Sequence, residues 1–126
     1  MPVPAPHPAT SEQMACFRRA LKVLEGKWKC EILWHLSYGV KRFGELRRSL
    51  PGITHQMLAL RLRELEAVGL VQREVYDEVP PRVEYRLTQA PVELTPMFHA
   101  LLTWAKNHDS MLSPATEGKG LTALAH

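Results

Sequence analysis

A mainly α-helical fold carrying one small β-hairpin is what this 126-residue chain predicts, on three observations. Apolar residues recur at helical spacing through most of the chain, the period falls to two after Gly69, and Gly and Pro punctuate the boundaries. At roughly 100–200 residues per domain, the length allows one domain. Its 45% apolar and 23% charged residues are an ordinary globular balance. No stretch approaches the ~20 apolar residues of a membrane span. The first ten residues lack the basic and apolar regions of a signal peptide, and with two cysteines only, a reduced cytoplasmic setting is expected.

Each element follows from local signals. Pro2, Pro4, Pro6 and Pro8 oppose helix and sheet, so residues 1–10 read as an extended, disordered tail. Ser11 can cap a helix whose Met14, Phe17, Leu21 and Leu24 share one face, and Gly26 breaks it. A second helix, about 27–37, buries Trp28, Ile32, Leu33 and Leu36. After an extended link at 40–42, a short third helix, 43–50, turns Phe43, Leu46 and Leu50 inward until Pro51-Gly52 stops it. Thr54 caps a fourth helix with Leu58, Leu62 and Leu65 inward, closed by Gly69. Two half-buried strands follow, starting at Val71 and Val83 and joined by a long tip, 77–82, in which Pro80-Pro81 exclude a tight turn. A last helix, about 92–108, is kinked or restarted by Pro96. The folded unit is then 11–110, and 111–126 read as a disordered tail.

Short helix, Pro-Gly turn, helix and long-tipped hairpin is the order of a winged helix-turn-helix, in which the second helix of the pair enters the DNA major groove. Eight of the ten arginines lie between Arg42 and Arg86, and arginine suits bidentate phosphate and base-edge contacts better than lysine does. With the leucines inward, the opposite face of the fourth helix carries Gln56, Leu60 and Arg63, flanked by Ala59, with Thr54 and His55 at its start. Gln bonds adenine, Arg bonds guanine, and Ala or Leu can meet a thymine methyl. Those six residues are the expected base readers. Arg42, Arg47 and Arg48 are expected on phosphates and Arg82 at the wing tip. The alternative is a winged-helix module that docks proteins without binding DNA.

The motifs Gly26-Lys27-Trp28-Lys29, Lys41-Arg42-Phe43-Gly44-Glu45-Leu46-Arg47, Leu50-Pro51-Gly52-Ile53, Leu62-Arg63-Glu64-Leu65-Glu66 and Val79-Pro80-Pro81-Arg82-Val83-Glu84-Tyr85 stand at fixed spacing. Together they resemble the HxlR-type family of bacterial winged helix-turn-helix transcription regulators, over about residues 16–108. The resemblance implies a homodimer joined mainly through the first and last helices, on a pseudo-palindromic double-stranded operator in the bacterial nucleoid. Phe17, Leu21, Phe98, Leu101, Leu102 and Trp104 are the side chains expected at that seam. The chain departs from the family pattern at Glu25, at Phe17 after the cysteine, at Leu60, and at Thr88-Gln89-Ala90-Pro91, where a glycine is usual.

Cys16 aligns with the cysteine that serves some family members as a thiol switch, and Arg18 and Arg19 beside it favour thiolate chemistry. Cys30, among core-facing neighbours, reads as structural. A redox or small-molecule effector is compatible with this chain. The cysteines and histidines lack zinc-ligand spacing, and neither a phosphate-binding Gly loop nor a nucleophile elbow is present. No metal, no cofactor and no enzymatic activity is expected.

Overall fold

The computed structural model describes residues 8–113, so most of both expected tails lies outside the described residues. Ten elements follow in order: α1 Ser11–Leu24, α2 Lys29–Leu36, β1 Lys41–Arg42, α3 Phe43–Ser49, α4 His55–Ala67, β2 Val71–Tyr76, β3 Arg82–Leu87, α5 Gln89–Val92, α6 Thr95–Asn107 and α7 Asp109–Leu112. The protein is mainly helical with a small antiparallel sheet, as the periodicities predict. β3 is the central strand of order β1-β3-β2. The link at 40–42 is therefore more than a connection, since Lys41 pairs with Tyr85 and Arg42 with Glu84.

Thr10, not Ser11, caps α1: its hydroxyl accepts from Gln13 N at 3.0 Å and Gln13 Oε1 accepts from Thr10 N at 2.9 Å. This reciprocal box satisfies two otherwise unpaired helix-end donors. α2 begins two residues later than expected because Trp28 adopts left-handed φ 81°. The chain enters that turn through Gly26, at φ 120°, where an added Cβ would also lie 3.3 Å from Arg61 Cζ. Side-chain bulk at Gly26 is thus opposed both by backbone strain and by the arginine seated against it.

The core is built on α2, α3 and α4. Ile32, Leu33, Leu46, Leu58 and Leu65 are wholly buried, with Val71 and Tyr85 closing it from the sheet and Phe98 from α6. The C-terminal helix divides as Pro96 suggested. Thr88 precedes the single turn α5, Pro91 is buried, and α6 restarts at Thr95 with Pro96 in its first turn, where a missing N–H is harmless. The Thr88 hydroxyl donates to Gly69 O at 2.7 Å, tying this junction to the end of α4. Helical structure continues through Leu112, two residues beyond the expected limit.

α1 meets this core at its last residue, Leu24, which is partly buried against it. None of its residues is buried, and Phe17 and Leu21 are exposed. α6 similarly exposes Leu101, Leu102 and Trp104. Phe98 differs from these seam candidates: it is buried in the protomer, 6.2 Å from the Trp34 ring, and belongs to the core rather than to an open face. No helix among the described residues is long and apolar enough to cross a membrane.

Candidate nucleic-acid interface

The interface grows from the α3–turn–α4 unit. α3 starts where Glu45 Oε1 reaches back to accept from Arg42 N at 2.7 Å. Leu46, Leu50 and Ile53 then anchor α3 and the turn in the core, leaving Arg47 and Arg48 exposed. These two arginines wall a surface hollow with Gly44, Gly52 and Ile53. Thr54 Oγ1 accepts from Met57 N at 3.0 Å, so its hydroxyl both caps α4 and keeps a proton to donate outward. The His55 ring packs 4.7 Å from that of Phe43, fixing the first residue of α4 against α3.

Burial of Leu58, Leu62 and Leu65 sets the rotation of α4. Gln56, Leu60 and Arg63 are consequently exposed and Ala59 is half-buried, while Thr54 and His55 lie open at the N-terminal end. The six residues predicted to read bases thus lie along one continuous stretch of helix surface. Arg63 and Ala59 turn toward the sheet, where they line a second hollow together with Glu66, Arg73 and Tyr85.

The arginines sort into two groups. Arg61, Arg73, Arg82 and Arg86 each have a carboxylate within 4 Å. Arg42, Arg47, Arg48 and Arg63 have no such partner among the described residues. Within the first group Arg61 and Arg82 are held closely and are half-buried, whereas Arg73 stands 3.8 Å from Glu66 and is exposed. Arg61 Nε donates to Lys27 O at 2.9 Å and its Nη1 to Glu64 at 2.7 Å, locking α4 to the turn that starts α2. That hydrogen bond holds the Glu64 carboxyl below its ordinary value. Sequence reasoning missed Arg61, whose partner carbonyl lies 34 residues away in the chain.

Arg82 differs in position from the expectation. It is the first residue of β3 rather than the tip, and its guanidinium lies 3.9 Å over the Tyr76 ring. Glu78 at 3.0 Å and Glu84 at 3.1 Å bracket it. A half-buried cation held by two carboxylates and a ring face braces the wing. The projecting residue is Val79, which is fully exposed.

Cys16 is exposed on α1, and Cys30 is partly buried with its Sγ 3.9 Å from Leu24 O. Burial, reinforced by the Glu31 charge, pushes the Cys30 thiol up, which suits a structural role. Among the described residues no cluster of His, Cys, Asp or Glu could hold a metal.

A helix-turn-helix with a β-hairpin wing and unpaired arginines on its exposed helices defines the winged-helix class of regulators. Comparison with known proteins narrows this. A sequence model of the HxlR-like helix-turn-helix family matches residues 23–112, and the chain belongs to that family. The HTH-type transcriptional regulator YtcD of Bacillus subtilis (strain 168) is 50% identical over 88 residues, 70% of each chain. An HTH-type transcriptional regulator of Methanothermobacter thermautotrophicus (strain Delta H) is 46% identical over 99 residues, covering 79% of this chain and 76% of the relative. The redox regulator HypR in its reduced form superposes with a TM-score of 0.72 at 45% identity, covering 77% of this chain and 96% of HypR. Its oxidised form gives 0.68 at 47%, covering 73% and 95%.

Proposed function

We propose that two copies of this chain pair through α1 and α6 and bind a pseudo-palindromic operator in duplex DNA, regulating transcription. The observation that carries this reading is the sorting of the arginines. Arg61 and Arg82, which brace the fold, are paired with carboxylates, and those on α3, its N-cap and the outer face of α4 have no carboxylate partner among the described residues. An unpaired guanidinium on a rigid helix is what phosphate neutralisation requires. Gln56, with Thr54, His55, Ala59 and Leu60, reads base edges; Arg42, Arg47 and Arg48 hold the flanking backbone. Arg63 stands at the border of the two sets, and Val79 leads the wing toward the adjacent minor groove.

Dimerisation follows from α1. A 14-residue helix is marginal alone in water, and this one buries no residue in its own protomer. Between α2 and α6 lies an apolar hollow of about 290 Å³, lined by Cys30, Trp34, Phe98, Leu101, Leu102 and Ala105. The exposed apolar face of α1 and the open apolar hollow are complementary surfaces on one chain, as a two-fold dimer needs. Cys16 on α1 then sits beside the seam. A thiol signal there is supported by its exposure and by the likeness to a redox regulator seen in two oxidation states.

The test is fluorescence anisotropy with duplex DNA across salt concentrations, followed by selection from a random-sequence pool. The log of the affinity should fall linearly with log salt, and selection should enrich a two-fold-symmetric site. Binding without salt dependence, or no enrichment, would overturn the proposal.

A further inference from the structure

We propose that Arg73 on β2 and Arg63 on α4 form a clamp for one DNA phosphate, in the hollow between the recognition helix and the sheet. This rests on the DNA-binding reading and extends it to residues outside the expected contact set. The hollow, about 270 Å³, is lined by Ala59, Leu62, Arg63, Glu66, Arg73 and Tyr85. Its position follows from the register. Val71 and Arg73 share a face of β2, and Val71 is buried, so Arg73 emerges one pleat outward, where the sheet face opens. Tyr85 is the cross-strand partner of Arg73, placing a phenol beside the guanidinium. Ala59 supplies no bulk on the helix side.

The chemistry favours an oxyanion. Two guanidiniums from different elements face one carboxylate, leaving a single positive charge in excess. Arg63 has no carboxylate partner among the described residues. The pair made by Arg73 is loose: Nε stands 3.8 Å from Glu66 Oε1, with the two side chains 45% and 41% exposed. That separation exceeds hydrogen-bond range, and an exposed pair of this kind adds little stability. Arg73 can therefore exchange the carboxylate for a phosphodiester oxygen, which a guanidinium grips bidentately. Geometry supplies the phosphate. When a helix lies in the major groove and a wing reaches the neighbouring minor groove, the sugar-phosphate strand dividing the grooves passes between them. Glu66 holds Arg73 in the free protein and opposes the anion, so it tunes affinity downward. Arg63 on this account is a backbone contact and not a base reader.

The experiment measures the full-length protein, wild type and variants, by anisotropy on a random-sequence duplex and on the best-bound selected duplex from 50 to 200 mM salt. Arg73→Gln should weaken both duplexes by the same factor, at least ~10-fold at low salt, and reduce the salt slope by about 0.9 per phosphate in each half-site. Arg63→Gln should do likewise without changing the ratio between the two duplexes. Glu66→Gln should tighten both, and Arg73→Lys should recover the slope with only part of the affinity. An unchanged slope in Arg73→Gln, with wild type binding normally, overturns the clamp alone. A changed ratio in Arg63→Gln overturns its phosphate role. If wild type binds no duplex, the DNA-binding reading fails and the clamp with it. Because Glu66→Gln removes no cation, a loss of affinity there also contradicts the proposal, whatever Arg73→Gln does to folding.

Discussion

Replacing Phe17 and Leu21 together by alanine should dissociate the proposed dimer while leaving the protomer core intact. In the protomer these side chains keep 56% and 51% of their surface in water. Complete burial of such a side chain contributes about 1.5–3 kcal/mol, so covering the exposed half contributes about 1 kcal/mol each. Two-fold symmetry makes four such side chains. Allowing for what alanine retains, the dimer loses about 3 kcal/mol, a roughly 150-fold rise in Kd. Sedimentation velocity over a dilution series reads that rise directly. Hydrogen exchange adds a second reading, since an undocked α1 should lose amide protection across Ser11–Leu24 while α2 and α4 keep theirs. A variant that dimerises as tightly as wild type would refute the assignment of α1 to the seam. A monomeric variant that still bound a two-fold-symmetric duplex at wild-type affinity would refute the need for the dimer.

Three further outcomes are expected. Arg82→Gln should remove the ring contact and both carboxylate pairs, loosening the wing by about 1–2 kcal/mol. Hydrogen exchange should show faster amides around Val75–Val83; unchanged protection combined with a smaller salt slope would return Arg82 to the DNA-contact set. Because the Arg61 hydrogen bond lowers the Glu64 pKa, its stabilisation is present above the ordinary carboxylate value, about 4.3, and is lost as pH falls through the lowered one. Melting temperatures below that pH should therefore fall more steeply for wild type than for Glu64→Gln, and parallel curves would count against the tether. Alkylation followed by mass spectrometry should label Cys16 well before Cys30 at neutral pH, since the raised pKa keeps Cys30 protonated until more alkaline conditions. Diamide should change DNA affinity of wild type and Cys30→Ser but not of Cys16→Ser, and a wild type indifferent to diamide would make Cys16 a packing residue.

What was legible in the sequence was whatever depends on near neighbours. Leu58, Leu62 and Leu65 fixed the rotation of α4 because helix periodicity is local, and Pro51-Gly52 and Gly69 marked its ends. The seam candidates on α1 and α6 came from the family resemblance, and Phe17, Leu21, Leu101, Leu102 and Trp104 are exposed in the protomer. What escaped reading depends on how the elements are placed against one another. The partner of Arg61 is a carbonyl 34 residues away, so nothing near it distinguished a tether from a DNA contact. β1 has two residues, too few for any period, and exists because β3 offers an open edge. Arg82 looked free because Tyr76 and Glu84 reach it only once the hairpin register is set. Phe98 sits on the same helix as the exposed Leu101 and Leu102, and only docking against Trp34 separates core from open face. Trp28 in a left-handed conformation had no signal beyond the preceding Gly26.

The central claim, that paired α4 helices read two related half-sites, is tested most directly by hydroxyl-radical footprinting on the duplex that selection enriches. The account predicts two protected segments of matching sequence, with centres one helical turn, about 10–10.5 base pairs, or a multiple of it apart. Selection repeated with Gln56→Ala should enrich a different sequence at the same spacing, whereas Arg47→Ala should enrich the same sequence more weakly. A single protected segment, protection without sequence symmetry, or an unaltered sequence with Gln56→Ala would contradict it.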